Sequence, residues 1–400
     1  MNSYETLSRQ VGVGGLILGE EEKRYLNQVI DNNRLSYGPL TKRFEEEFAK
    51  EHGVRFGIFL NSGTSALHIA LAALKEKYQW KDGDEVIVPA TTFVATSNIV
   101  IHNCMKPVFV DVERDTYNVN PNLIEDKITS RTRAIIPVHL FGMPADMDPI
   151  NELAEKYNLK IIEDSCETMF AAYKGRKVGS FGEIGCFSTY IAHFLVTGIG
   201  GFCITDNPEL AVTLRSIMNH GRDSIYISID DDHTKDENRL TEIIDRRFNF
   251  VRMGHSFRAT ELEAGIGLGQ LEKKDYIVAK RREIAQFYID ELSLWNEDLQ
   301  LPFIPPDRDH NFMMFPIVLK KNHKRNMINF LEKNNIETRD MLPLLNQPIY
   351  KSFFDNKTNE YPVSQWLIDS GFYIGCHQYL TSYEIEYVTA KIKEFMRDNI

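Results

Sequence analysis

The chain has 400 residues, 43% hydrophobic and 26% charged, with 24 glycines and 15 prolines. That length exceeds what one hydrophobic core usually supports, and the composition excludes a disordered or collagen-like chain. Its 46 Lys and Arg against 57 Asp and Glu give a net charge of −11, which argues against a general nucleic-acid or anionic-membrane binder but leaves room for a local basic pocket.

From residue 55 to 206, short apolar runs alternate with helix-period segments. Strands are expected at 55–60, 85–88, 107–110, 134–139, 160–162, 186–188 and 202–205. Helices are expected at 65–78 and 147–158. In the second, Asp146 or Asp148 can cap the start, and Ile150, Leu153, Ala154 and Tyr157 share one face. This alternation predicts an α/β fold with a mainly parallel sheet covered by helices on both faces. Ligands of such sheets gather beyond the carboxyl ends of the strands. The acidic stretch 224–245 reads as an exposed loop or insertion. After Phe257 a long helical pattern leads away from the sheet. A strand at 312–319 and helices at 325–334 and 384–397 then read as a smaller α+β unit. We expect a large domain over 1–275 and a small C-terminal domain over 276–400.

No apolar run reaches the ~18 residues of a membrane-spanning helix. The start, MNSYETLSRQ, lacks the basic-then-apolar layout of a secretory signal, so a cytoplasmic protein is expected. The cysteines, Cys104, Cys166, Cys186, Cys203 and Cys376, are odd in number and form no C-x-x-C pair. Neither a disulfide framework nor a metal site is expected from them.

Three segments carry chemistry. Asn61-Ser62-Gly63-Thr64-Ser65-Ala66 follows a strand and opens a helix. Small residues there let backbone approach a ligand, and the helix start favours an anion that Thr64 and Ser65 can bond; a simple capped turn has the same composition. Ile161-Ile162-Glu163-Asp164 ends a strand in two carboxylates. An acid at that place can hold a protonated ring nitrogen, cap a helix or ligate a metal. Phe93, in ATTFVAT, can cover a planar ring or belong to the core.

NSGTSAL at 61–67, IPVHLFGMPADMDPI at 136–150, EDSCE at 163–167 and GSFGEIGCFSTYIAHFLVTGIGG at 179–201 together resemble the DegT/DnrJ/EryC sugar aminotransferases. Those are fold-type-I pyridoxal-phosphate enzymes. The resemblance extends from RLSYGPLTKRFEEEFA at 34–49 to GCHQYLTSYEIEYV at 375–388. It implies a seven-stranded sheet in a large cofactor-binding domain and pyridoxal or pyridoxamine 5′-phosphate as cofactor. It also implies that Asp164 pairs with the pyridine nitrogen, Phe93 covers the ring, and Thr64, Ser65 and Ser188 bind the phosphate. A homodimer and a place in surface-polysaccharide synthesis are implied on the same grounds.

One departure is decisive for the chemistry. The family's aminotransferases carry a lysine five residues after the serine of F-S-F, and it anchors the cofactor covalently. This chain has His193 there, and no lysine between Lys177 and Lys235. An imidazole cannot make that anchor, but it can take and return a proton near neutral pH. The combination resembles the family's sugar 3-dehydratases, which use untethered pyridoxamine phosphate, and Glu167, where aminotransferases commonly have Gln, resembles them too. The branch with an iron–sulfur cluster has cysteines in G-R-D-C-x-C, whereas this chain reads Gly221-Arg222-Asp223-Ser224-Ile225-Tyr226. A cluster is not expected, because the remaining Cys166 is a single thiolate.

The resemblance therefore implies removal of the C3 hydroxyl from a nucleotide-diphosphate 4-keto-6-deoxy sugar, GDP-linked mannose or a relative such as a heptose. L-glutamate would be the amine donor and His193 the proton carrier. Ser256 stands where the family often has a cofactor-reaching Asn, and its shorter side chain can donate one bond. Arg222 and Arg258 are candidates for a substrate carboxylate or diphosphate, or for plain solvation. Two other readings compete: an aminotransferase using a lysine from elsewhere, and a non-catalytic homologue that binds cofactor or sugar.

Overall fold

All seven strands expected between residues 55 and 206 form, and they join in one sheet. The computed structural model describes residues 7–223, 236–321, 323–354 and 357–399. Across the sheet the order is Phe56–Leu60, Gly201–Thr205, Ile184–Ser188, Lys160–Asp164, Thr132–Ile135, Glu85–Pro89 and Lys106–Val110. Gly201–Thr205 runs antiparallel to both its neighbours, and the other pairings are parallel.

Burial on both faces explains the near-continuous apolar runs. In Glu85–Pro89, Val86 and Val88 pack in one core cluster while Ile87 packs in another. In Gly201–Thr205, Cys203 joins the first of these, and Phe202 and Ile204 join a third. Period-2 alternation thus sends successive side chains to opposite helix layers. Helices Gly63–Lys77, Val94–His102 and Pro208–Met218 contribute to one layer. Pro39–Glu51 and Glu261–Glu272 contribute to the other.

Four local expectations change. The strand at 134–139 is regular only as Thr132–Ile135, because Pro137 has no N–H for the ladder; Val138 still bridges Asp164. Asp146 stands at the cap of helix Met147–Tyr157, but its carboxylate accepts from the Tyr173 hydroxyl at 2.7 Å instead of from a helix N–H. The stretch 224–245 is not all loop. Its second part forms helix Glu237–Arg246, in which the Asp236 side chain caps the N–H groups of Asn238 and Arg239. Residues 224–235 lie outside the described residues. The helical pattern after Phe257 divides at Lys273 into Glu261–Glu272 and Lys274–Leu292.

A second, antiparallel sheet orders Leu299–Gln300, Met314–Leu319, Gly371–Gly375 and Thr338–Asp340. Its core includes Phe315, Ile317 and Ile374 with Ile284 and Tyr288 of Lys274–Leu292 and Val388 and Ile392 of Ser382–Asn399. Among the described residues no helix is long and apolar enough to cross a membrane.

Two glycines make the sheet end compact. A Cβ on Gly201 would lie 2.5 Å from the Gly63 nitrogen and from the Ser62 carbonyl, and one on Gly63 would lie 2.8 Å from Cβ of Ser188. Only hydrogen fits where the strand end meets the helix start. Gly201→Ala should therefore cost about 1–3 kcal/mol of stability, as other forced overpacking does. A urea titration compared with wild type measures this, and an unchanged midpoint would refute it.

Candidate active site

The carboxyl ends of the parallel strands bring the expected residues together. Leu60 pairs with Gly201, Gly201 with Ser188, and Asp164 with Cys186. The loop after Leu60 enters helix Gly63–Lys77 through Ser62, whose hydroxyl oxygen accepts from the Ser65 N–H at 3.0 Å and donates to the Ser65 hydroxyl at 3.0 Å. Thr64 is exposed in the first helical turn, and Ser65 is buried beside it. Ser188, also buried, ends its strand against Gly63. One helix start and three hydroxyls, from Thr64, Ser65 and Ser188, thus meet at one sheet edge. The Asn61 side-chain oxygen there is buried with no protein partner.

Asp164 closes its strand and is only 4% exposed. One oxygen accepts from the Thr96 hydroxyl at 2.8 Å and the other from the Cys166 N–H at 3.2 Å. Among the described residues it has no ion-pair partner, and burial pushes its pKa above the ordinary carboxylate value. Three residues on, Glu167 is buried and accepts from the Phe141 N–H at 3.1 Å. Burial, with a smaller contribution from the charge of Asp164, pushes Glu167 up to about 8.

Phe93 caps helix Val94–His102 and is 58% exposed, so the core-aromatic alternative is excluded. His193 lies in the turn after Ser188, half-buried. Its Nδ1 is 3.2 Å from the Tyr190 carbonyl oxygen. A carbonyl only accepts, so Nδ1 carries the proton and Nε2 keeps the free lone pair. Enclosure by protein, aided by the charge of Arg281, pushes this imidazole down to about 4, so it is neutral at pH 7.

The turn is fastened by a residue that sequence reasoning missed. Arg281, buried in helix Lys274–Leu292, donates to the His193 carbonyl at 3.0 Å. The same guanidinium reaches the carbonyls of Phe312, Met313 and Cys376 and the side chain of Gln378. An Arg inside a charged helical segment gives no sign of burial in the sequence. Thr96 was missed as well, although it lies in the ATTFVAT stretch that drew attention to Phe93.

The remaining candidates lie next to the helix start or hold local structure. Asn61 N–H donates to the Phe257 carbonyl at 2.9 Å, which brings 256–258 beside the NSGTS turn. There the Arg258 guanidinium donates to Ser256 Oγ at 2.8 Å and also to the Asn219 side chain. Arg222 packs over Phe248 and Phe250 and donates to the Arg247 carbonyl.

With this geometry in view, comparison with known proteins settles the lineage. The DegT/DnrJ/EryC1/StrS aminotransferase family model matches residues 17–393. The chain belongs to that family. It is 32% identical to the GDP-perosamine synthase of Escherichia coli O157:H7 over 94% of this chain and 96% of the relative. It is 31% identical to the lipopolysaccharide biosynthesis protein RfbH of Salmonella typhimurium, over 95% and 90%. The E. coli GDP-4-keto-6-deoxy-D-mannose 3-dehydratase structure with bound hydrated PLP superposes with a TM-score of 0.83 at 25% identity, covering 96% of this chain and 100% of that one.

For a member of this aminotransferase family, the residues present fit pyridoxal or pyridoxamine phosphate. A buried carboxylate without a cation suits a protonated pyridine nitrogen, the hydroxyl-rich helix start suits a phosphate, and exposed Phe93 suits a ring face. The raised Glu167 pKa gives a stability test. Between the free-carboxyl value and about 8 the folded state holds a proton that the unfolded chain has lost. Stability from this group is therefore present at low pH and lost as pH rises toward 8. Glu167→Gln should remove that dependence, so wild type loses thermal stability relative to the variant between pH 5 and about 8. Parallel melting curves across that range would contradict the assignment.

Proposed function

We propose that this protein is a nucleotide-sugar 3-dehydratase. It uses untethered pyridoxal or pyridoxamine phosphate to remove the C3 hydroxyl of a nucleotide-linked 4-keto-6-deoxy sugar, GDP-4-keto-6-deoxymannose or a close relative, with L-glutamate as amine donor. The observation that carries this reading is His193 in the turn after Ser188, where the family's aminotransferases anchor the cofactor. The lysines nearest in sequence on the N-terminal side are committed elsewhere: Lys174 to Asp148 and Lys177 to the Phe170 carbonyl, each at 2.5 Å. Similarity to a 3-dehydratase structure and to a lipopolysaccharide biosynthesis protein supports the substrate class and the polysaccharide setting.

When bound, the cofactor supplies the amino group and an electron sink. The chain does the rest. Asp164 keeps a proton on the ring nitrogen, Phe93 covers one ring face, and Thr64, Ser65 and Ser188 hold the phosphate. Glu167, a neutral acid at pH 7, can donate a hydrogen bond that a carboxylate could not. His193 Nε2 takes a proton in one half of the cycle and returns it in the other. Over both halves, glutamate and the keto sugar give 2-oxoglutarate, ammonia and the 3-deoxy-4-keto sugar. The two electrons leaving glutamate reduce C3, so the balance closes without another oxidant or reductant.

We extend this reading to a homodimer built over the apolar stretch beside Ser256, where Phe248 is 75% and Met253 94% exposed; such area suits a covered surface.

Similarity to a perosamine synthase favours transamination as the second reading. Incubation with pyridoxal phosphate, glutamate and GDP-4-keto-6-deoxymannose separates the two. The dehydratase gives ammonia and a product one oxygen lighter, whereas an aminotransferase gives an amino sugar. Borohydride reduction followed by peptide mapping should find no cofactor-modified lysine. His193→Asn should retain the cofactor but lose dehydration by about 10²–10⁴-fold. Retained turnover would remove His193 from the proton-carrying role.

A further inference from the structure

Asp164 is supported by a hydroxyl chain that no part of the cofactor assignment requires. Thr96 lies in the first turn of helix Val94–His102, its N–H donating to the Phe93 carbonyl at 3.2 Å. Its hydroxyl donates to Asp164 Oδ2 at 2.8 Å and lies 2.7 Å from the hydroxyl of Thr92. Both threonines are buried.

The proton count fixes the direction of the chain. A hydroxyl has one proton, and a carboxylate with that short contact takes it from Thr96. Thr96 must then accept from Thr92. Each bond polarises the next, and in a site shielded from water this strengthens the terminal contact. The other Asp164 oxygen has the Cys166 N–H, and His139 is already bonded to Glu163 at 3.0 Å. Thr96 is thus the side-chain hydroxyl that fixes the carboxylate plane. Because Phe93 immediately precedes this helix, one turn orients both the ring-covering aromatic and the acid holder.

We propose that Thr92 and Thr96 form a directed hydroxyl relay that orients Asp164 toward the cofactor ring nitrogen and sets how firmly that nitrogen keeps its proton. They are positioning residues, acting through Asp164, and the proposal rests on the cofactor reading given above.

The test uses the full chain and pyridoxamine 5′-phosphate labelled with 15N at the ring nitrogen. Affinity is measured by equilibrium dialysis and ring-nitrogen protonation by the 15N chemical shift at pH 7.5. Thr96→Val keeps the shape and removes the hydroxyl. It should weaken binding on the order of tenfold and move the 15N shift toward the unprotonated value. Thr96→Ser should restore both, which a purely packing role would not explain. Thr92→Val, with the Thr96 donor intact, should move both in the same direction by less, and it serves if Thr96→Val does not fold.

The relay is overturned if Thr96→Val, or Thr92→Val in its place, leaves affinity and 15N shift at wild-type values while Asp164→Asn loses both. It is equally overturned if Thr96→Ser fails to restore what a folded Thr96→Val loses. If Asp164→Asn also changes neither quantity, the cofactor reading itself fails, and the relay with it.

Discussion

A carboxylate withdrawn from water, with no cation beside it among the described residues, is the constraint around which this molecule is arranged. Burial of a lone charge is costly, and the hydrogen bonds from Thr96 and Cys166 offset only part of it at Asp164. The carboxyl therefore favours holding a proton or meeting a cation. The central place of its strand makes retreat impossible, because Asp164 is bonded through its backbone to Pro137 and His139. A protonated heterocycle entering the sheet edge would complete the electrostatics, and the hydroxyls around the neighbouring helix start would secure its anionic end. Affinity and chemistry would then arise from the same incompleteness.

His193 presents the opposite arrangement. Its imidazole is kept neutral, and its backbone is held by a guanidinium that is buried without a carboxylate partner among the described residues. Arg281 spreads its donors over four backbone carbonyls and one side-chain amide. A nearby carboxylate would draw a proton onto the imidazole, whereas carbonyls satisfy the guanidinium without supplying negative charge. Arg281 thereby does two things at once: it fixes the turn to the second sheet's segment, and its charge opposes protonation of the ring. Asp164 and His193 thus differ in kind, the first favouring positive charge nearby and the second disfavouring it.

Much of this was legible in the sequence because it followed from periodicity and from strand-end chemistry. The seven buried strands announced themselves as short apolar runs. Asp164, Ser188 and the NSGTS turn were readable because polar residues directly after such runs fall at one sheet edge. What escaped reading depends on tertiary encounter. Pro137 shortened a strand whose apolar run continued. Asp146 lost its capping role to a hydroxyl 27 residues away in sequence. The acidic stretch after 235 hid a helix, since Leu240, Ile243 and Ile244 fall at helical spacing among charges. Arg281 and Thr96 are ordinary helix residues until the fold places one under His193 and the other against Asp164.

Removal of a covalent anchor changes what the remaining contacts must accomplish. A tethered cofactor is held at high effective concentration whatever its phosphate contacts contribute, whereas an untethered one is held only by them. The tight closure at Gly63 and Gly201 bears on this, because it brings the helix start against Ser188 with no intervening side chain. Any β-carbon there would push the helix start away from Ser188, and the proposed phosphate site needs the two together. Under the proposed reading, where no lysine bonds the cofactor, the geometry of this anion site would carry retention, and His193 would be left free to move protons.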